Sequence, residues 1–258
     1  MAPCSVVVLD LDGTLLRSDK TISEATRGVL RKLAERGVDL VTATARPQRA
    51  VRSLLPPELL TGWIILCNGS QIRHATRLVY ECEIPGGALA AIVAAVQSRL
   101  PDPTIGYEHR DRLYVNRHFV RHWPADTETL ADFSAPRHDG ALKVLIDWTD
   151  PTAESWLRVT IPPGTRLILT DHGTLAQIIP AEVGKAAAVR FVLQQLAKGM
   201  ADVVCFGDDL NDAELFVECP HSVAMANAPA PLRRLAFHQA PGNDEDGVAR
   251  YLKAYFRL

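Results

Sequence analysis

Four short apolar runs set the strongest limit on how this chain can fold. They are Val6 to Leu9, Val38 to Thr42, Trp63 to Cys67 and Val203 to Phe206, each four or five residues long and apolar except for Asp39 and Thr42 in the second. A strand that is apolar at every position is buried on both faces, and such strands belong to parallel sheets covered by helices on each side. The segments between them carry helix signals. Thr21 and Glu24 have capping-box spacing ahead of Val29, Leu30 and Leu33, and Gly37 ends that helix. Pro47 is expected just inside the next helix, and Val189, Val192, Leu193 and Leu196 recur at i, i+3, i+4, i+7 after Gly184. The expected fold class is α/β, a Rossmann-like doubly wound parallel sheet.

That rhythm breaks near residue 82 and returns near 181. The intervening stretch has shorter, turn-separated strand patterns at Thr104 to Glu108 and Arg112 to Val115. An apolar helix follows Gly87, a strand runs from Ala141 to Trp148, a helix lies near Thr152 to Thr160, and a pair of strands flanks Asp171-His172-Gly173. We therefore expect a core of residues 1–81 and 181–258 with an inserted α/β domain at 82–180. At 258 residues the chain is long enough for both.

A net charge of -2 offers no electrostatic footprint for nucleic acid or an anionic membrane. No apolar run approaches a membrane span, and the first residues lack a signal-peptide pattern, so a cytoplasmic location is expected. The five cysteines are scattered without a Cys-x-x-Cys pair and read as reduced core residues, with Cys67 and Cys205 ending strands.

The chemistry gathers where apolar runs stop. Asp10-Leu11-Asp12-Gly13-Thr14 follows the first run; in extended chain, residues two apart share a side, so Asp10 and Asp12 would present two carboxylates together. Carboxyl ends of parallel strands are where open α/β sheets bind ligands, and Gly13 permits a sharp turn bringing amides near an anion, although Asp-Gly is also an ordinary turn. Gly207-Asp208-Asp209-Leu210-Asn211-Asp212 repeats the arrangement after the fourth run. Hard oxygen donors from two strand ends suit Mg²⁺ better than Ca²⁺ or Zn²⁺. Asp209 is expected to face solvent, leaving Asp208 and Asp212 as metal ligands. Thr44-Ala45-Arg46-Pro47 after the second run and Lys185 at a later helix start offer groups for phosphoryl oxygens.

Taken together, these motifs resemble the haloacid dehalogenase superfamily of phosphotransferases, and within it the Cof-type, subfamily IIB sugar-phosphatase branch with a large α/β cap. The likeness rests on Asp10 to Leu15, Thr44 to Pro47, Asn68-Gly69, Lys185 and Gly207 to Asp212, with Val223 to Ala228 and Asp246-Gly247-Val248-Ala249 further on. Ala45 and Ala186 stand where the branch usually has glycine, and neither change removes a functional side chain.

The resemblance implies a Mg²⁺-dependent phosphatase acting on a small phosphorylated metabolite through an aspartyl-phosphate. Asp10 would be the nucleophile and Asp12 the general acid and base. Mg²⁺ would be held by Asp10, the Asp12 main-chain carbonyl, Asp208 and Asp212. Thr44 and Lys185 would hold the phosphoryl oxygens, and Arg46, Asn68, Gly69 and Asn211 would complete the pocket. The inserted domain would choose the substrate. Its segment from Tyr107 to Trp123, with His109, Arg110, Arg112, Arg117, His118, Arg121 and His122, reads either as a basic rim for a second anion or as a solvated edge. A phosphomannomutase-like phosphotransferase, a mannosyl-3-phosphoglycerate or sucrose-phosphate type of phosphatase, and a non-catalytic phosphate-binding regulator are the competing readings. No nucleic-acid or membrane partner is expected, and the protein would be a monomer or homodimer.

Overall fold

The structure, a computed structural model, describes residues 4–119, 128–133, 138–147 and 153–258. The chain opens with β1 (Val6–Leu9), α1 (Glu24–Glu35), β2 (Asp39–Ala43), α2 (Gln48–Val51), α3 (Pro57–Leu60), β3 (Trp63–Leu66), β4 (Gln71–His74) and β5 (Arg77–Glu81). It continues through β6 (Ile84–Pro85), α4 (Gly86–Arg99), β7 (Ile105–His109), β8 (Arg112–Val115), β9 (Glu128–Leu130), β10 (Gly140–Ala141), β11 (Lys143–Asp147), α5 (Ala153–Thr160), β12 (Thr165–Thr170) and β13 (Leu175–Pro180). It closes with α6 (Lys185–Gln195), β14 (Val203–Gly207), α7 (Ala213–Glu218), β15 (Ser222–Met225), α8 (Ala230–Leu235), β16 (His238–Ala240) and α9 (Gly247–Phe256). Two compact units result, Met1–Tyr80 with Gly184–Leu258, and Glu81–Val183.

In the first unit eight strands lie in the order β16-β15-β14-β1-β2-β3-β4-β5. From β16 to β3 every pairing is parallel, and β4 then turns back antiparallel on β3. Side chains of a strand alternate between faces, and β1 shows the result. Val7 and Leu9 join a core with α1, α3 and α9, while Val6 and Val8 join a second core with α6, α7 and α8. The sheet is thus doubly covered, which is why its central strands are almost wholly apolar, with Asp39 and Thr42 of β2 as exceptions. Gln71 to His74 and Arg77 to Glu81 carry no strand signature in the sequence because polar residues interrupt both, β4 burying only Gln71 and Ile72 and β5, the edge strand, having mostly exposed positions.

The first helix begins differently from the expected box. Ser23 is the N-cap, its Oγ accepting from the Thr26 amide at 3.0 Å, whereas Thr21 is bound to the Asp19 carboxylate through its amide (2.9 Å) and hydroxyl (2.6 Å). A serine two residues later wins because its oxygen reaches an open amide of the first turn. Cys67 also departs from expectation, belonging to a tight turn after β3, and Cys205 sits inside β14 rather than at its end. Pro47 is the N-cap of α2 rather than its first residue.

In the second unit a six-stranded sheet runs β12-β13-β11-β7-β8-β9, with β10 and β6 forming a separate antiparallel pair. Val144 and Ile146 pack with α4 and α5, and Leu145 on the opposite side joins Leu113, Val115, Phe119 and Leu175. Trp148 and Thr152, expected to end a strand and start a helix, lie outside the described residues. Among the described residues no helix is long and apolar enough to cross a membrane.

Candidate active site

The site occupies the carboxyl ends of β1, β2, β3 and β14 in the first unit. Asp10 follows β1 directly, and its amide still donates to Phe206 O (3.2 Å), so the carboxylate is fixed by the sheet. The chain then coils tightly. Thr14 N and Leu16 N both donate to Leu11 O, and Gly13 takes φ 73° at the bend. A Cβ on Gly13 would run into the Asp208 carboxylate, so glycine serves both the left-handed backbone and the close approach.

Asp10 is 7% exposed and Lys185, the first residue of α6, is 2% exposed. Lys185 Nζ donates to Asp10 Oδ1 at 2.7 Å and to Asp212 Oδ1 at 2.6 Å. The second Asp212 oxygen accepts from the amides of Asp208 (3.1 Å) and Asp209 (3.3 Å), which fixes the acidic loop after β14. Thr14 Oγ1 donates to Asp208 Oδ1 at 2.8 Å. Asp10, Asp208 and Asp212 each offer a carboxylate oxygen within 4.8 Å of the others. Asp209 is half-buried rather than facing solvent, accepting from the Leu210 amide at 2.8 Å as a cap.

Three buried carboxylates against one ammonium leave negative charge uncompensated. Burial, with the Asp10 and Asp212 charges, pushes Asp208 up to about 9. Burial also raises Asp10, to about 7, against the pull of Lys185. Lys185 loses some proton affinity to burial, but Asp10 and Asp212 more than restore it, and its value rises.

Asp12 does not share the Asp10 environment, although the two lie two residues apart. β1 ends at Leu9, so the alternation of extended chain no longer applies, and Asp12 finds its own partners. Arg46 donates through Nε to Oδ2 (2.6 Å) and through a terminal nitrogen to Oδ1 (2.7 Å), and Lys20 Nζ donates to Oδ1 at 2.8 Å. Burial opposes ionisation there, but the Arg46 and Lys20 hydrogen bonds and charges outweigh it and bring Asp12 down to about 2.

The loops after β2 and β3 are joined through their backbones. Asn68 N donates to Thr44 O and Cys67 N to Arg46 O, both at 3.0 Å, while the buried Thr44 Oγ1 accepts from Arg46 N at 3.1 Å. Asn68 holds a left-handed conformation (φ 58°), and its Oδ1 accepts from Asn211 Nδ2 at 3.0 Å. Gly69 has φ 105°, and an added Cβ would lie 2.7 Å from Gly184 O. Every residue expected in the site from sequence thus falls in one of three adjoining sets: Asp10 with Lys185, Asp208 and Asp212; Asp12 with Arg46; and Thr44, Asn68, Gly69 and Asn211. Two contributors have no role in the sequence reading. Thr14 is visible inside the first motif, but Lys20 lies in a polar turn with no pattern to mark it.

In the described part of the segment from Tyr107, Arg110, Arg112 and Arg117 are exposed while other members turn inward. Tyr107 and His109 are buried, Tyr107 Oη pairs with His138 Nδ1 (2.8 Å), and His109 Nδ1 donates to Gly140 O (2.9 Å). Arg117 pairs with Asp102. Arg121, His122 and Trp123 lie outside the described residues.

A doubly wound sheet with an ion-paired aspartate at the end of a central strand and an acidic loop on the neighbouring strand defines the catalytic core of a hydrolase built on an α/β sheet. The chain belongs to the haloacid dehalogenase-like hydrolase family, whose sequence model matches residues 7–252. It is 27% identical to 5-amino-6-(5-phospho-D-ribitylamino)uracil phosphatase YitU of Bacillus subtilis, over 98% of each chain. Among solved structures it resembles SMU.1108c from Streptococcus mutans, with TM-score 0.89, 22% identity and coverage of 99% of this chain and 100% of the other. It also resembles the subclass IIB sugar phosphatase BT4131, with TM-score 0.86, 17% identity and 98% and 100% coverage.

Proposed function

We propose that this enzyme is a Mg²⁺-dependent phosphatase hydrolysing the phosphate monoester of a small sugar- or polyol-like metabolite, with Asp10 as nucleophile. The observation that carries this reading is the buried Asp10 carboxylate, ion-paired to Lys185 and gathered with Asp208 and Asp212 at the neighbouring ends of β1 and β14. An all-oxygen donor set with surplus negative charge fits a hard divalent cation. The carboxylates of Asp10, Asp208 and Asp212 and the Asp12 main-chain carbonyl would hold Mg²⁺, which when bound would screen Asp10 from an anionic phosphate.

An Asp10 carboxylate oxygen bonds to phosphorus as the bond from phosphorus to the leaving oxygen breaks. The electron pair departs with that oxygen, which takes a proton from Asp12; Arg46 and Lys20 hold Asp12 ionised at rest, so Asp12 first takes that proton up from solvent. Water then attacks the aspartyl-phosphate and passes a proton to Asp12, which returns it to solvent, releasing inorganic phosphate and restoring both groups to their starting states. Lys185 and Thr44 orient the phosphoryl group, and the Asn68-Gly69 turn and Asn211 shape the surrounding wall. Substrate selection belongs to the inserted unit, since the residues named above concern only the phosphoryl group.

The relative YitU is a phosphatase of a phosphoribitylamino compound, and the structural neighbour BT4131 is a sugar phosphatase, which supports a polyhydroxylated leaving group. Release of inorganic phosphate from a panel of sugar and polyol phosphates with Mg²⁺, abolished in a folded Asp10→Asn variant, is the expected result. Near-normal turnover by that variant would remove Asp10 from its role. Transfer of the phosphoryl group to a second sugar instead of water would favour the mutase reading.

A further inference from the structure

We propose that the outer edge of β5 is the contact surface of a homodimer, in which two copies of this chain pair antiparallel through Arg77 to Glu81 about a two-fold axis at Val79. β5 ends the eight-stranded sheet, and no described strand lies beyond it. An edge strand offers main-chain donors and acceptors to a second strand, and proteins commonly blunt such edges with proline or with charges that repel a copy. β5 reads Arg-Leu-Val-Tyr-Glu, without proline and with one charge of each sign.

The strand is complementary to itself. Antiparallel pairing centred on Val79 sets Arg77 opposite Glu81 of the second copy, Leu78 opposite its Tyr80, and Val79 opposite its Val79. The two-fold axis repeats each contact, so two opposite-charge pairs flank an apolar centre. Parallel pairing in register would set arginine against arginine and glutamate against glutamate, so charge selects the antiparallel arrangement. Arg77 and Glu81 are exposed, and Leu78 is 41% exposed, a large apolar side chain that the pairing covers.

The backbone fits the same register. Ala75 N donates to Gly62 O at 3.0 Å, so the next pair of that ladder, Trp63 with His74, is a non-hydrogen-bonded pair and the main-chain groups of His74 face β5. The two-residue turn Ala75-Thr76 leads into β5, where the main-chain groups of Arg77 and Val79 then face β4 and those of Leu78 and Tyr80 point outward. An antiparallel pair with its axis at Val79 requires that alternation. Val79 meets Val79 as a non-hydrogen-bonded pair, and each Leu78 exchanges two main-chain hydrogen bonds with Tyr80 of the other copy. The opposite edge of the sheet, β16, is three residues long and has no such symmetry.

A five-residue strand contact lies at the small end of protein interfaces, so the dimer is expected to be weak and concentration-dependent. Sedimentation velocity of the full chain from about 5 to 500 μM reads it directly. Arg77→Glu and Glu81→Arg each turn two attractive pairs into two repulsive ones, and either should raise the dissociation constant about tenfold or more. Carrying both changes in one chain restores opposite charges across the axis and should restore the dimer. An equimolar mixture of the two single variants should form a heterodimer although neither pairs with itself. Each variant is first matched to wild type by circular dichroism and urea midpoint; if one single variant does not fold, the other and the double swap still decide. A wild type that sediments as a monomer throughout, a dimer indifferent to the charge reversals, or a folded double swap that stays monomeric overturns the proposal. The contact uses none of the residues assigned to the phosphoryl group, so these outcomes leave the phosphatase reading where it stands.

Discussion

Replacing Asp208 by asparagine tests whether the carboxylate cluster is held at a cost that a cation relieves. The site keeps Asp208 beside Asp10 and Asp212 with Lys185 as the ammonium they share, and Asp208 rises from an ordinary 3.8 to about 9. An acid raised on folding contributes its full stability below its unfolded value, and that contribution is lost as pH climbs toward the folded value. At pH 7 the group has been kept protonated over roughly three pH units, at about 1.4 kcal/mol each, a penalty on the order of 4 kcal/mol. Asparagine keeps the shape: its oxygen can accept from Thr14 Oγ1, and its amide can donate toward the neighbouring carboxylates. Because part of the penalty is the desolvation of any polar group, we expect a gain of about 1–3 kcal/mol for Asp208→Asn in chelator at pH 7.5. Urea unfolding from pH 5 to 9 should show wild-type stability falling with pH and the variant falling less steeply, its remaining slope below about pH 7 coming from the raised Asp10. Adding Mg²⁺ should raise the wild-type midpoint more than that of the variant, and the variant should lose turnover. A variant less stable than wild type in chelator, or one with the same pH slope, would refute the reasoning.

Three further outcomes are expected. Lys185→Met should destabilise the fold by about 3–5 kcal/mol in urea titration, because it strands the buried Asp10 and Asp212 charges, and it should abolish activity. Gly69→Ala should cost about 2 kcal/mol or more, combining a left-handed backbone with a Cβ 2.7 Å from Gly184 O, as read from the unfolding midpoint. Ser23→Ala should cost about 1 kcal/mol through the lost cap of α1, with Thr21→Ala costing less, and the reverse order would restore the capping box expected from sequence.

What the sequence made legible follows from what each signal depends on. The central strands were readable because burial on both faces leaves apolar residues at every position, as Val6 to Leu9 shows. The hairpin of β4 and β5 was not, since polar Gln71, Arg73 and His74 break the apolar run of β4 and Arg77 to Glu81 have no fully buried position. Asp10, Asp208, Asp212 and Lys185 could be picked out because each adjoins a strand end or helix start that the apolar pattern locates. The pairing of Asp12 with Arg46 and Lys20 was hidden for the opposite reason. It depends on where a strand stops, and a longer run of extended chain would have turned Asp12 toward Asp10. In the inserted unit, Tyr107 and His109 sit in a strand rich in polar-capable side chains, and a histidine bonded to a carbonyl looks the same in sequence as one at a rim.

The pairing of β1 with β14 has a consequence for the birth of the protein. Val6 to Leu9 acquire one neighbour, β2, soon after they emerge from the ribosome, but the other is Val203 to Phe206. At about 5–20 residues per second, roughly 200 residues of further synthesis leave one side of the innermost strand open for on the order of 10–40 s. The nascent chain therefore carries an unpaired, wholly apolar strand edge throughout the making of the inserted unit. Stalled chains ending before residue 203 should bind chaperones and be cut by protease within the amino-terminal segment, and chains extended through β15 should resist. The insertion that gives the enzyme its second unit thus lengthens the interval in which its core is open to aggregation.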